Sequence, residues 1–442
     1  MSACPEALLL ERMAHYAIPG AALALIADSE IAAEAGYGVK EAGGDHPVTP
    51  ATRFQACSIS KPVAVLGMLR LVEQGVLDLD ADVNEMLMSW RVPPNASWQP
   101  RVTLRQIASH SAGLTVGGFP GYTRRAALPT LREILTGSAP ANTPGIRVDT
   151  LPGIEFRYAG GGTTVLQQVL EDVTGRPFAK LMRELVLDPL GMSRSAYTQP
   201  LPNELHAEAS TAHGADGSPV DGAWHVYPEL AAAGLWTTPG DLARFAVGVQ
   251  HAAARAPSAI LGQELTVSML TPHSGPASRL GGLDSVGLGL FLGGPWFGHS
   301  GGNEGFRCHL VAHRDAGCGL AVMTNGDRGH ELIAEVLGAV ARDLGWPDWT
   351  AAAPAEDDSP TVGLEAVVGA YELRPGVAIE IAQDNDELEL TLPGQPPIRF
   401  LRMSETDFGS FSVETTLAFD GEEVTLRQND GELRCRRIDS YT

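Results

Sequence analysis

The chain has 442 residues, 44% of them hydrophobic, with 31 Lys and Arg against 53 Asp and Glu, a formal charge of −22. So acidic a surface repels nucleic-acid phosphates and anionic lipid headgroups, and no basic run or basic amphipathic helix offsets it, so neither nucleic acid nor a membrane surface is expected as a partner. The length exceeds what one hydrophobic core usually covers, so a large domain plus a smaller one is expected. The amino terminus, MSACPEALLLERMAHYAIPG, has one apolar run, Ala7 to Leu10, cut off by Glu11 and Arg12. That is not the pattern of a secretory signal. No stretch reaches the roughly 18 apolar residues of a membrane span. A soluble, cytoplasmic protein is expected. The five cysteines, Cys4, Cys57, Cys308, Cys318 and Cys435, are odd in number and scattered, which suits reduced thiols.

In chain order, a helix is predicted around residues 5–16. The runs GAALALIAD and IAAEAGYGV, joined at Ser29-Glu30, read as a β-hairpin. Residues 58–74 carry Val63, Leu66, Leu69, Leu71 and Val72 near the helical period and stop at Gly75. Pro62 is tolerated there because it falls in the first turn. Residues 80–245 read as helix and loop. GFRCHLVAH and GCGLAVMTN form a second apolar hairpin, and ELIAEVLGAVARDLG is an amphipathic helix. Residues 347–361, PDWTAAAPAEDDSPT, have linker composition. Beyond them VAIEIAQ, ELELTL, IRFLRM, TTLAFDG and EVTLRQ alternate as strands of a small antiparallel β domain. The predicted fold is therefore α/β (α+β). An antiparallel sheet with strands from both ends of the main domain is flanked by helices and a helical lobe. The expected divisions are 1–346, a linker 347–361 and a barrel-like domain 362–442.

Three stretches carry chemistry. In FQACSISKPVAVL, Ser58 and Lys61 stand three apart on a predicted helix and share a face. Lys61 is one of only three lysines. A serine hydroxyl becomes a nucleophile when a base takes its proton, and burial or nearby cations lower a lysine pKa enough for that task. In GIEFRYAGGGTTVLQQVLEDVTG, Tyr158 precedes a glycine-rich entry to a helix, where a phenol can relay protons. In FGHSGGNEGFR, His299 is followed by glycines that let a substrate lie against the backbone. The N–H of Gly302 is a candidate oxyanion donor.

SISK, the Tyr158 stretch and HSG follow the order and spacing of the serine β-lactamase and penicillin-binding-protein superfamily, and the chain most resembles its class C, esterase-type branch. LRLVEQGVLDLDADVN, LRQIASHSAGLT, LVLDPLGM and AAAGLWTTPGDLARF are similar as well. The resemblance spans about residues 5–345, and the tail resembles the lipocalin-like domains that some members carry. It implies that Ser58 is the acylated nucleophile, that Lys61 is its base, sharing protons with Tyr158, and that the N–H groups of Ser58 and Gly302 form the oxyanion hole. His299 stands where β-lactamases usually have lysine, and offers a weaker fixed charge for a substrate carboxylate. Tyr158-Ala159-Gly160 replaces Tyr-x-Asn. Both departures argue against efficient β-lactam hydrolysis.

Other residues weigh less. His309 and His313 would share a strand face about 13 Å apart, so no metal site is expected, and no cofactor. Cys57 reads as a buried thiol, and His110 and Ser111 as structural. Gly301, Asn303, Glu304, His225 and Tyr227 are candidate substrate contacts or turn-shaping residues. The expected function is hydrolysis of a small ester, amide or thioester through an acyl-enzyme. One alternative passes the acyl group to an amine acceptor; another is a non-catalytic, acylatable binding protein.

Overall fold

The computed structural model describes residues 6–154, 156–257, 259–274, 283–349, 364–374, 377–384, 387–391, 397–402, 406–410, 415–420, 423–428 and 431–438. They fall into two compact units, one ending at Pro347 and the other carrying the chain from Asp348 onward. Most of the expected linker, and Cys4, lie outside the described residues.

The first unit opens with helix α1 (Glu6–His15) and the hairpin of β1 (Gly20–Ala27) and β2 (Glu30–Gly38). The turn falls at Asp28-Ser29, one residue before the expected junction, with φ of +52° and +57°. Two successive left-handed residues match the twist of a tight hairpin, which fixes the register. A short pair follows, β3 (Phe54–Gln55) with β4 (Trp236–Thr237). The segment expected as helix over 58–74 starts as a single 3-10 turn, Cys57–Ile59, and continues as α2 (Ser60–Glu73). Pro62 sits in the first turn of α2, where its missing N–H costs no helical bond.

Five more strands complete the sheet: β5 (Ser285–Val286), β6 (Phe291–Gly293), β7 (Trp296–Asn303), β8 (Phe306–His313) and β9 (Gly319–Thr324). The order is β2-β1-β9-β8-β7-β6-β5, with every pairing antiparallel. The early hairpin and the late hairpin thus meet at β1 and β9, as the two ends of the domain were expected to. The helix Gly329–Asp343 packs on β8 and β9. A Cβ on Gly329 would touch Thr324 and Arg307. Alternation along β8 then turns Arg307, His309 and His313 toward that helix and Cys308 and Leu310 to the opposite face. On that opposite face Cys308 and Leu310 join Phe54, Ile59, Val63, Leu66 and Phe306 in one buried core.

The second unit is a closed antiparallel barrel of β10 (Gly369–Arg374), β11 (Val377–Asp384), β12 (Glu387–Thr391), β13 (Ile398–Arg402), β14 (Asp407–Ser410), β15 (Thr415–Asp420), β16 (Glu423–Gln428) and β17 (Gly431–Ile438). Alternate residues, among them Ile379, Ile381, Leu388, Leu390, Phe400, Leu417 and Val424, fill its interior. Pairing of β10 with β17 closes the ring, which leaves no open strand edge. Among the described residues no helix is long and apolar enough to cross a membrane. Cys57, Cys308 and Cys435 are buried free thiols, and Cys318 is a half-buried one.

Candidate active site

The site begins at the junction of β3 and α2. Cys57 takes a φ of +51°, which turns the chain sharply out of β3 and places Ser58 in the 3-10 turn. That turn is held from several sides. Ser60 Oγ donates to Cys57 O at 2.6 Å and accepts from Leu235 N at 3.1 Å. Tyr197 donates its hydroxyl to Ser60 O at 2.5 Å. Fixing the first turn of α2 fixes the side chain that leaves it next, Lys61.

Lys61 is 3% exposed. Its Nζ donates to Ser58 Oγ at 2.9 Å and to the carbonyl of Ala232 at 3.0 Å. Ala232 lies on the short helix Leu230–Ala233. Burial disfavours the ammonium, and the Lys61 pKa falls from 10.5 to about 7. A lysine in this state can hold or release a proton at neutral pH.

Tyr158 lies beside this pair, with Lys61 Nζ 4.9 Å from the centre of its ring. The tyrosine ring stacks on Phe291 at 6.4 Å and lies 4.4 Å from the His110 ring. It ends the loop that enters the helix Gly160–Thr174. Gly160 and Gly161 donate their N–H groups to Gly117 O and Val116 O. A Cβ on Gly161 would come within 2.4 Å of Thr115 O. The close approach of these two backbones is why this helix starts with glycines.

His299, on β7, is 2% exposed and packs its ring against Phe291 at 5.1 Å. Its Nδ1–H donates to Ser300 O, so the neutral ring presents Nε2 as a lone pair. Nε2 is buried without a hydrogen-bond partner among the described residues. Burial and the Lys61 charge push its pKa down to about 3. His299 is therefore a neutral acceptor at pH 7, a stronger departure from a fixed positive charge than histidine alone implies.

Beyond Gly298, β7 pairs with β8 only, because β6 ends its pairing there. On the sheet face that carries Cys308, β7 meets the 3-10 turn of Ser58. A Cβ on Gly301 would stand 2.7 Å from Ala56 O and Cys308 Sγ and 2.8 Å from Cys57 Cβ. Only glycine lets strand and turn come this close. Gly302 is exposed on the same strand.

The remaining candidates take supporting places. Asn303 is buried, and its Nδ2 donates to Gln55 Oε1 at 2.7 Å and to Ala233 O at 3.2 Å, next to the carbonyl that holds Lys61. Tyr227 is 1% exposed. Its hydroxyl accepts from Glu304 N at 2.9 Å, so it braces the β7–β8 turn. His225 Nδ1 lies 3.1 Å from Pro120 O. His309 and His313 face the helix Gly329–Asp343. Two features escaped the sequence reading. The Ala232 carbonyl is a partner of Lys61 that no side-chain motif announces. Glu229, which precedes that helix, has a fully buried carboxyl with neither oxygen partnered among the described residues, and burial raises its pKa to about 7.

A sheet flanked by helices, with a buried Lys beside a Ser at the head of α2, defines the class. The chain belongs to the Beta-lactamase family, whose profile matches residues 6–342. It is similar to penicillin-binding protein 4 of Amycolatopsis lactamdurans, with 28% identity over 388 residues, 83% of this chain and 96% of that one. It is also similar to a D-aminopeptidase of Gluconobacter oxydans, with 25% identity over 98% of this chain and 76% of that one. Among solved structures, the octameric penicillin-binding protein homologue from Pyrococcus abyssi superposes with a TM-score of 0.64 at 22% identity, covering 98% of this chain and 99% of that one. The shared fold thus takes in the carboxy-terminal barrel.

Proposed function

We propose that the protein is a serine hydrolase that cleaves a small ester or amide through an acyl-enzyme on Ser58. The observation that carries this reading is the buried Lys61 amine, 2.9 Å from Ser58 Oγ and with its pKa near neutrality. In its neutral form Lys61 takes the Ser58 proton as Oγ bonds to the substrate carbonyl carbon. The carbonyl oxygen becomes an oxyanion, placed between the N–H groups of Ser58 and Gly302. Collapse breaks the bond to the leaving alcohol or amine. The proton held by Lys61 passes to that leaving group, with Tyr158 as relay. Water then attacks the acyl carbon by the reverse proton path and frees Ser58. Neutral His299 supports substrates with no carboxylate to be neutralised at that position.

The test follows intact mass and product release with a panel of activated acyl esters and amides. Wild type should turn over with a transient adduct on Ser58. Ser58→Ala and Lys61→Ala should be folded and inactive; full turnover by either overturns the mechanism. Added amines extend the assay to acyl transfer, which uses the same residues and would yield an amide product.

A further inference from the structure

His110 is absent from the chemistry above, yet it holds both neighbours of Tyr158. It follows the short helix Leu104–Ala108, whose start is fixed by reciprocal bonds between Thr103 and Gln106. There the backbone of His110 turns left-handed, with φ +53°, a conformation that is strained for a non-glycine residue and persists only where the surroundings hold it. The turn aims two acceptors at one target. The His110 carbonyl accepts Arg157 N–H at 2.7 Å. The His110 Nδ1 accepts Ala159 N–H at 3.2 Å. Between those two bonds the imidazole lies on the Tyr158 ring, centroids 4.4 Å apart and planes 34° apart. The next residue continues the clamp, as Ser111 O accepts Gly153 N–H at 2.6 Å.

We infer that His110 is the positioning residue for Tyr158: its carbonyl, its Nδ1 and its ring face together hold the phenol at the Ser58–Lys61 pair. This rests on the role of Tyr158 proposed above. The clamp works with neutral imidazole, because an Nδ1 that accepts carries no proton. His110 is 4% exposed. Burial, with the charge of Lys61 and then His299, keeps its pKa well below the usual histidine value. The groups around it fit that state: the Lys61 ammonium discourages a second positive charge beside it, His299 is itself neutral, and Phe156 meets its edge at 6.1 Å.

The experiment compares kcat, KM and melting temperature for wild type, His110→Ala, His110→Asn, His110→Gln, Tyr158→Phe and the double variant His110→Ala/Tyr158→Phe, with Ser58→Ala as reference. An Asn Oδ1 stands close to the place of His Nδ1, whereas a Gln oxygen lies one bond farther out. His110→Ala should lose roughly tenfold to a hundredfold in kcat with KM within about twofold, as expected when a reacting group is misplaced by about an ångström. His110→Asn should recover most of that loss, and His110→Gln should not. The double variant should be no slower than Tyr158→Phe, because both changes remove one function. If losses at His110 and Tyr158 simply multiply, or if Asn and Gln behave alike, the inference is overturned. Should His110→Ala fail to fold, the Asn and Gln variants carry the same decision. An active Ser58→Ala would instead overturn the proposed reaction, so the two failures are distinct.

Discussion

In the proposed reaction, burial of Lys61 sets the acid limb of the pH profile. An amine at 10.5 is free in about one molecule in three thousand at pH 7, whereas one at about 7 is free in about half of them. If Lys61 must be neutral to accept the Ser58 proton, kcat/KM should rise with pH through about 7. It should fall to about a tenth of the plateau at pH 6 and about a hundredth at pH 5. His299, near 3, and His110, well below its usual value, add no limb there. Glu229, raised to about 7, does titrate in the same range, so the assay needs Glu229→Gln beside the wild type. The measurement is kcat/KM for a neutral activated ester from pH 4.5 to 9. A limb that persists in Glu229→Gln assigns it to Lys61. A limb that vanishes in that variant, or a flat profile down to pH 5, refutes the reasoning.

Lys61→Met should be inactive yet melt higher than wild type. The folded lysine gives up its proton near 7 and the unfolded one only near 10.5. Between those values the unfolded state binds more protons, so the cost of burying Lys61 is full below pH 7 and fades toward 10.5. The gain in melting temperature should shrink over that same span, and a constant gain would contradict it. Gly301→Ala should push β7 off the Ser58 turn, destabilising the protein by about 1–3 kcal/mol and lowering kcat. Gly302→Ala should be tolerated, since the nearest atoms its Cβ would meet belong to the flexible Arg307 side chain, at 3.5 Å. Equal melting temperatures for the two glycine variants would speak against that close packing. Asn303→Ala should cost about 1–3 kcal/mol by stranding Gln55 Oε1, read by denaturant unfolding, and should slow turnover through Ala233.

Much of this was legible because it rests on local pattern. Ser58 and Lys61 share a face at i, i+3, and the 3-10 start of α2 does not spoil that register. The two apolar hairpins and five of the barrel strands announce themselves by alternation. Strand β14, Asp407–Ser410, is too short and polar to do so, and its identity comes from the ladder on either side. The hairpin turn moved by one residue because Asp28 and Ser29 both accept left-handed backbone. His110 was assigned to structure alone because its role lies in bonds to residues 157 and 159 and in a positive φ, neither of which residue type encodes. The lowered pKa of Lys61 is equally a product of the finished fold, since what buries the amine comes from distant parts of the chain.

The pairing of β1 with β9 joins residues 21–26 to residues 319–324, and it gives the first unit a timetable. During synthesis β1 and β2 emerge early as a hairpin with one open edge, and that edge waits for roughly three hundred residues before its neighbour exists. Ser58 and Lys61 emerge soon after it, but the strand that closes over them, with Gly301 and Gly302, comes off the ribosome almost as late. At about 5–20 residues per second that wait lasts roughly 15–60 s. The proposed site is thus completed only in a nearly finished chain: fragments that end before β7 carry Ser58 and Lys61 without the strand that closes over them and leave an apolar strand edge uncovered.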